Sequence, residues 1–113
     1  MHELGIAQAI VSLVEEEARK AAASRVAAIT LSVGELSGIV AEQLDFCFPI
    51  AARGTLAEGA ELRMDPVEGE AHCPACDRPF HMTHLLDPCP RCGGHTSDVR
   101  AGGELLVASL EVE

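Results

Sequence analysis

The stretch that decides how this chain folds is residues 72–94, HCPACDRPFHMTHLLDPCPRCGG, which holds four of the five cysteines. Cys73 and Cys76 belong to one C-P-x-C turn, and Cys89 and Cys92 belong to a second turn after twelve intervening residues. Each turn aims two thiolates at one point, and two facing turns supply four sulfurs in the tetrahedron that suits Zn²⁺. The spacing therefore predicts a four-cysteine zinc site. Such a site has no open coordination position, which is typical of a structural metal and not of a catalytic one.

Two other chemistries use similar cysteine turns. Iron of the rubredoxin type would fit them, but the aromatic packing expected around a redox iron is lacking, because only 3% of the residues are aromatic. A dithiol redox centre needs one pair of cysteines, so two matched pairs favour a metal. The segment from about His72 to Gly103 has few periodic apolar residues. We expect this segment to lack a core of its own and to take its folding free energy from the metal.

Outside that segment, the hydrophobic pattern predicts two helices and three strands. The second helix carries Pro49, which predicts a kink or a late helix start. Pro66 places the second strand at a sheet edge or at a bulge. The predicted segments are a helix up to about residue 23, a strand within 25–36, a helix within 41–55, a strand within 59–71 and a strand over 104–113.

This order of elements predicts an α+β fold. We expect a small sheet of about three strands packed with two helices, plus a zinc-ribbon-like four-cysteine lobe inserted before the last strand. Residues 1–70 and 104–113 would form the α+β domain, and residues 71–103 would form the zinc-binding domain. A chain of 113 residues has a small core, so a metal that stabilises the lobe fits its size.

Charge and composition limit the partners of the chain. The formal net charge is −10, and the basic residues are one lysine, Lys20, and seven scattered arginines. A surface that binds nucleic acid needs clustered basic residues, so the charge disfavours such a partner. No segment has the pattern of a signal peptide or the length of a membrane span, so we expect a cytoplasmic protein. In the cytosol, paired cysteines are more typical of metal ligands than of disulfides.

The N-terminus begins with Met-His-Glu directly before the first helical pattern. The α-amine, the His2 amide nitrogen and the His2 imidazole could form fused chelate rings around one metal ion. A field of amide and imidazole nitrogens favours Ni²⁺ or Cu²⁺ over Zn²⁺. Glu3 also suits a helix N-terminus, because a carboxylate there interacts favourably with the helix dipole. From these residues alone, His2 and Glu3 fit either a metal site or an ordinary helix start.

Motifs along the whole chain change that balance. These are MHE at the start, VGELSG after the first predicted strand, F-C-F in the second helix, GTLAEGAEL, the two C-P-x-C turns and a terminal L-x-V-x-S-L-E-V. Together and in this order they closely resemble the HypA/HybF family of hydrogenase-maturation nickel chaperones. The resemblance implies a protein that is not an enzyme, that binds Ni²⁺ as transient cargo and that carries structural Zn²⁺.

The family resemblance also implies a role for individual residues. His2 would be the principal nickel ligand, and Glu3 would contribute its backbone nitrogen or tune partner docking. Cys73, Cys76, Cys89 and Cys92 match the zinc ligands. Some family members have a carboxylate shortly after the GELSG-type turn, whereas this chain has Val40 there and Glu42 as the nearest acid. A histidine of the zinc lobe could replace that carboxylate at the nickel.

The partners implied by the family are the HypB-type GTPase and the precursor of the [NiFe]-hydrogenase large subunit. In some bacteria urease maturation factors join them. The resemblance implies neither nucleic acid nor a membrane as a partner, and it allows a monomer or a homodimer. The alternative from another class of protein is a zinc-ribbon interaction module without a nickel role. A small metallohydrolase lacks support, because the H-E-x-x-H motif is missing.

The remaining cysteine and the histidines of the cysteine-rich segment belong to none of these motifs. Cys47 lies on the apolar face of the second predicted helix, which is typical of a buried and unreactive thiol. His72, His81, His84 and His95 surround the cysteine quartet in the sequence. They leave open a further metal ligand or a pH-sensitive contact.

Overall fold

A computed structural model describes residues 2–113 of the chain. The elements in chain order are α1 (His2–Lys20), β1 (Val26–Gly34), α2 (Ala41–Ala52), β2 (Glu61–Val67), β3 (Glu70–Cys73), β4 (Arg78–His81), β5 (Val99–Ala101) and β6 (Leu105–Val112). The chain divides into two compact units. Unit 1 comprises the chain up to Leu31, Val40–Met64 and Val107–Glu113, and unit 2 comprises Ser32–Ile39 and Asp65–Leu106. Of the helices described, none is long and apolar enough to cross a membrane.

The structure confirms the α+β class, with two helices, two small sheets and a four-cysteine lobe. The first sheet has the strand order β2-β1-β6, so the Pro66-containing strand lies at an edge, as predicted. Arg25 and Glu113, which flank β1 and β6, exchange both of their backbone hydrogen bonds, at 3.3 and 2.9 Å. This exchange is the mark of an antiparallel pair.

The first helix is amphipathic, and its buried side chains recur every three or four residues. The helix ends at Lys20 and not at Ala23, because Ala22 adopts the left-handed conformation with φ of 55°. The Ala22 N–H donates to the Arg19 carbonyl and the Ala23 N–H donates to the Ala18 carbonyl, at 3.0 and 2.9 Å. These two bonds form a Schellman motif, which satisfies the last carbonyls of the helix.

The second helix packs against α1 within unit 1 through Leu44, Cys47, Phe48 and Ala52. It starts at Ala41 and continues through Pro49, so of the two predicted alternatives the late start is wrong and the kink stays a prediction. Proline cannot donate a hydrogen bond to the preceding turn, yet the buried apolar face keeps the helix together on both sides of it. The structure confirms that Cys47 is a buried free cysteine.

Unit 2 contains three short strands that the sequence pattern did not predict. Their order is β4-β3-β5, and β3 pairs antiparallel with both neighbours. One face of this sheet contributes to a hydrophobic cluster made of Leu36, Ala71, Cys73, Phe80, Met82 and Cys89. Leu36 and Ala71 lie outside the segment from His72 to Gly103, so the cluster is not a core of that segment alone. Its apolar residues alternate over strands of only three or four residues, too short for a clear period.

The α+β domain of residues 1–70 and 104–113 and the zinc-binding domain of residues 71–103 stay predictions.

Candidate metal centre

The four cysteines of the two C-P-x-C turns come together in unit 2. Their sulfur atoms all lie within 4.8 Å of one another. The Sγ atoms of Cys73 and Cys92 are 3.6 Å apart, and those of Cys76 and Cys89 are 4.0 Å apart. A tetrahedral zinc with Zn–S bonds of about 2.3 Å requires sulfur–sulfur edges of about 3.8 Å. The sulfur cluster therefore has the size of a four-thiolate zinc site.

Backbone structure holds each pair of sulfurs. Cys73 is the last residue of β3, and the chain returns into β4 through Asp77, whose φ is 52°. In the second turn, two backbone hydrogen bonds of 2.8 Å close a loop between Cys89 and the glycines that follow Cys92. The Cys89 N–H donates to the Gly94 carbonyl, and the Gly93 N–H donates to the Cys89 carbonyl. Gly93 has a φ of 75°, a conformation that favours glycine. The Gly94 N–H then donates to the Cys92 sulfur at 3.4 Å.

The four sulfurs of the cluster differ in how readily they ionise. The backbone N–H groups of Cys92 and Arg91 donate to the Cys89 sulfur and lower the pKa of the Cys89 thiol to about 6. The Gly94 N–H stabilises the Cys92 thiolate, but the three neighbouring cysteines and desolvation outweigh it and raise the pKa of Cys92 to about 11. The Cys89 thiol thus loses its proton at a lower pH than the Cys92 thiol does. A divalent cation at the centre would favour the thiolate form of all four and release their protons.

The histidines near the quartet are engaged elsewhere. No histidine nitrogen joins the metal-sized group of four sulfurs in the part of the chain that the structure describes. Each histidine lies beside an oxygen atom instead. These neighbours are Asp77 for His72 at 3.1 Å, Glu35 for His81 at 2.7 Å, Asp87 for His84 at 3.8 Å and the Leu86 carbonyl for His95 at 3.0 Å.

His2 and Glu3 lie in the first turn of α1 and form a contact that the sequence did not predict. The His2 Nε2 lies 3.0 Å from the Glu3 Oε2, with the His2 side chain 66% exposed and the Glu3 side chain 2% exposed. The Val40 N–H donates to the same Glu3 oxygen at 3.5 Å. The α-amine of Met1, which the predicted chelate also requires, lies outside the described residues.

The amphipathic pattern contained a signal for the burial of Glu3. Glu3 precedes Ala7 by four residues and Ile10 by seven, so it falls on the buried stripe of α1. A carboxyl group that is buried requires hydrogen-bond partners. Two partners are present, the His2 imidazole and the Val40 N–H. Val40, the position where some family members have a carboxylate, therefore contributes a backbone N–H to Glu3.

Comparison with known proteins gives consistent matches over the whole chain. The family described as "Hydrogenase/urease nickel incorporation, metallochaperone, hypA" matches residues 1–112. Proteins named hydrogenase maturation factor HypA from Geobacter sulfurreducens and from Azotobacter vinelandii are 45% and 44% identical, with full coverage of both chains.

Two solved structures have the same fold. A structure described as the solution structure of HypA protein has a TM-score of 0.69 at 26% identity, covering 100% of this chain and 97% of that one. The solution structure of the Ni metallochaperone HypA from Helicobacter pylori also has a TM-score of 0.69, at 24% identity, covering 97% of this chain and 96% of that one.

Proposed function

The chain belongs to the HypA family of nickel metallochaperones, and from that premise we propose that it binds Ni²⁺ at its N-terminus and delivers it to the precursor of the [NiFe]-hydrogenase large subunit. The single observation that supports the N-terminal site best is the pair formed by His2 and Glu3. An exposed imidazole is held through Nε2 by a buried carboxylate.

The contact with Glu3 leaves one nitrogen of the His2 imidazole available to a metal ion. A neutral imidazole that donates its Nε2 proton to Glu3 keeps its lone pair on Nδ1. Nδ1 is the nitrogen that can close a chelate ring with the amide nitrogen of the same histidine. The carboxylate also fixes the orientation of the ring, as carboxylates beside metal-binding histidines commonly do. His2 is then the principal nickel ligand.

The backbone near His2 supports the same proposal. The first N–H groups of an α-helix have no partner within the helix, so the amide nitrogens of His2 and Glu3 can be deprotonated without loss of a helical hydrogen bond. Imidazole and amide nitrogens favour Ni²⁺ over Zn²⁺. In this arrangement Glu3 supplies its backbone nitrogen to nickel while its carboxylate positions His2.

The cysteine quartet is proposed to hold a structural zinc. Four thiolates complete the coordination of zinc and leave no position for a substrate, which favours a chaperone over an enzyme. Zinc, when bound, supplies folding free energy to the two C-P-x-C turns. Nickel is cargo, and the exposure of His2 suits ligand exchange with an acceptor.

The proposed partners follow from the family. They are the HypB-type GTPase, the hydrogenase large-subunit precursor and, where urease is present, its maturation factors. The net charge of −10 supports protein partners with basic surfaces and disfavours nucleic acid and anionic membranes. We place this activity in the cytoplasm, with the chain a monomer or a homodimer.

Nickel titration by calorimetry tests the N-terminal site. Untagged protein should bind Ni²⁺, and His2→Ala should abolish this binding while the zinc content stays at one ion per chain. His84→Ala is a matched control, because His84 is also an exposed histidine, and it should bind nickel like the wild type. An unchanged titration of His2→Ala would leave the zinc-ribbon interaction module as the better function.

A further inference from the structure

The outward side of α2 carries an exposed aromatic residue in a chain that has few. The chain has three phenylalanines and no tryptophan or tyrosine. Phe48 and Phe80 are only 2% and 6% exposed, whereas Phe46 is 73% exposed. Ile50 follows Phe46 by one helical turn and is 47% exposed. Residues four apart are neighbours on a helix, so these two side chains form one apolar surface, called here the Phe46 face.

The Phe46 face is not needed for the core of unit 1. The opposite side of α2 already buries Leu44, Cys47 and Ala52. A helix that is apolar on both sides is usually buried on both sides. Aromatic residues are enriched at protein interfaces, whereas single exposed aliphatic residues are ordinary surface features.

Two carboxylates accompany the Phe46 face. Glu42 precedes Phe46 by one turn, and Asp45 is its neighbour in the chain; both are exposed. Within residues 2–113, neither carboxylate has an ion-pair partner. The Phe46 face therefore has free negative charge at its side, and a partner that covers it would gain from basic groups there.

These charges distinguish between the possible occupants. A second copy of the chain would bring another net charge of −10, and like charges oppose association. An anionic membrane surface repels an acidic helix in the same way. A protein with basic residues around an apolar groove would cover Phe46 and Ile50 and would also pair with the two carboxylates.

We propose that the Phe46 face docks in an apolar groove of a maturation partner, whose rim carries lysine or arginine opposite Glu42 and Asp45. Phe46 and Ile50 are the anchors, in the manner of a helix that inserts one face into a groove. The carboxylates orient α2 and speed association. The identity of the partner rests on the proposed function, but the docking surface does not involve the nickel or zinc ligands.

The test measures binding to two purified probes, the HypB-type GTPase and the hydrogenase large-subunit precursor of the same organism. The double variant Phe46→Ala with Ile50→Ala should bind at least one of them about tenfold or more weakly than the wild type, since buried anchors dominate binding. Leu86→Ala is the matched control, because Leu86 is also 73% exposed, but in unit 2, and its affinity should be unchanged. Helicity, zinc content and nickel titration should be the same in all three proteins.

A second pair of variants tests the basic rim. The double variant Glu42→Gln with Asp45→Asn should weaken binding and reduce the dependence of binding on salt. The control, Glu16→Gln with Glu17→Gln on α1, should change the affinity and its salt dependence less. Equal affinity of wild type and the Phe46 face variant for both probes would overturn the proposal, and so would a wild type that binds neither. Loss of a homodimer in the Phe46 face variant, seen by sedimentation, would show a second copy as the occupant and overturn it as well. Failure of wild-type nickel binding alone refutes the N-terminal site and leaves this surface standing.

Discussion

At the scale of single residues, Glu3 is the one charged side chain that is buried among residues 2–113. Its carboxylate links the start of α1 to Val40, which is 37 positions away in the chain. A carboxylate that only interacts favourably with the helix dipole would not need to be buried. The contact with the His2 imidazole therefore favours a positioning role for the Glu3 side chain in nickel binding.

Substitution of Glu3 distinguishes the role of its side chain from the role of its backbone nitrogen. Glu3→Ala should weaken nickel binding about 10- to 100-fold, because the imidazole loses the group that orients it. Glu3→Gln keeps an oxygen that can accept from Nε2, so its affinity should stay closer to that of the wild type. Calorimetric titration with Ni²⁺ measures both. Equal nickel affinity of Glu3→Ala and the wild type would show that the Glu3 side chain has no role in nickel binding.

The contact between Glu35 and His81 makes unit 2 sensitive to pH. The Gly69 N–H and the His81 imidazole bond to the Glu35 carboxylate at 2.9 and 2.7 Å and lower the pKa of Glu35 below its usual 4.5, with a further contribution from His84. The same hydrogen bond raises the pKa of His81 above 6.5, and Glu68 adds to the rise.

The direction of both shifts defines a pH window. The raised pKa of His81 stabilises the fold fully below pH 6.5, and this contribution is lost as the pH rises through the raised value. The lowered pKa of Glu35 stabilises it above pH 4.5, and that contribution is lost as the pH falls through the lowered value. His81→Ala should therefore destabilise zinc-loaded protein more at pH 5.5 than at pH 9, by urea unfolding. A pH-independent difference would contradict this assignment.

At the scale of elements, the end of α1 illustrates how a short backbone motif overrides a periodic pattern. The apolar stripe continues to about Ala23, but the Schellman motif ends the helix at Lys20. Alanine occupies the left-handed position that glycine normally takes. The side chain of Ala22 therefore costs conformational energy.

Ala22→Gly should stabilise the protein by about 0.5–1 kcal/mol, because glycine adopts this φ without strain, partly offset by its greater freedom in the unfolded chain. The free energy of unfolding from urea titration measures the change. Ala9→Gly, at an exposed position within α1, is the control and should destabilise by about 1 kcal/mol. A lower stability of Ala22→Gly would contradict the assigned motif.

At the scale of the whole molecule, unit 2 combines the proposed zinc site with a small apolar cluster. Cys73 and Cys89 belong to the cluster and to the sulfur quartet at once. Structural zinc contributes about 10 kcal/mol or more in small metal-binding domains, so loss of a zinc ion there would remove a large part of the stability of unit 2.

Loss of the metal should therefore affect the two units unequally. Cys92→Ser removes an exposed ligand that is not part of the apolar cluster, so its effect reports on metal binding. Metal analysis should give one zinc in the wild type and less in the variant. Hydrogen exchange should become fast in β3, β4 and β5 while α1 and α2 stay protected. Iron in the wild type, or unchanged protection of β3 in the variant, would contradict this prediction.

The sequence by itself determined the four-cysteine cluster and the fold class of this protein. Both depend on residues that are close in the chain, because a C-P-x-C turn places its two sulfurs locally and helical periodicity identifies the face that is buried. The tertiary structure decided three other features. Glu3 meets Val40, Leu36 joins the apolar cluster of unit 2, and Phe46 stays exposed although it lies in an apolar helix. These depend on contacts between distant segments, which no local pattern specifies.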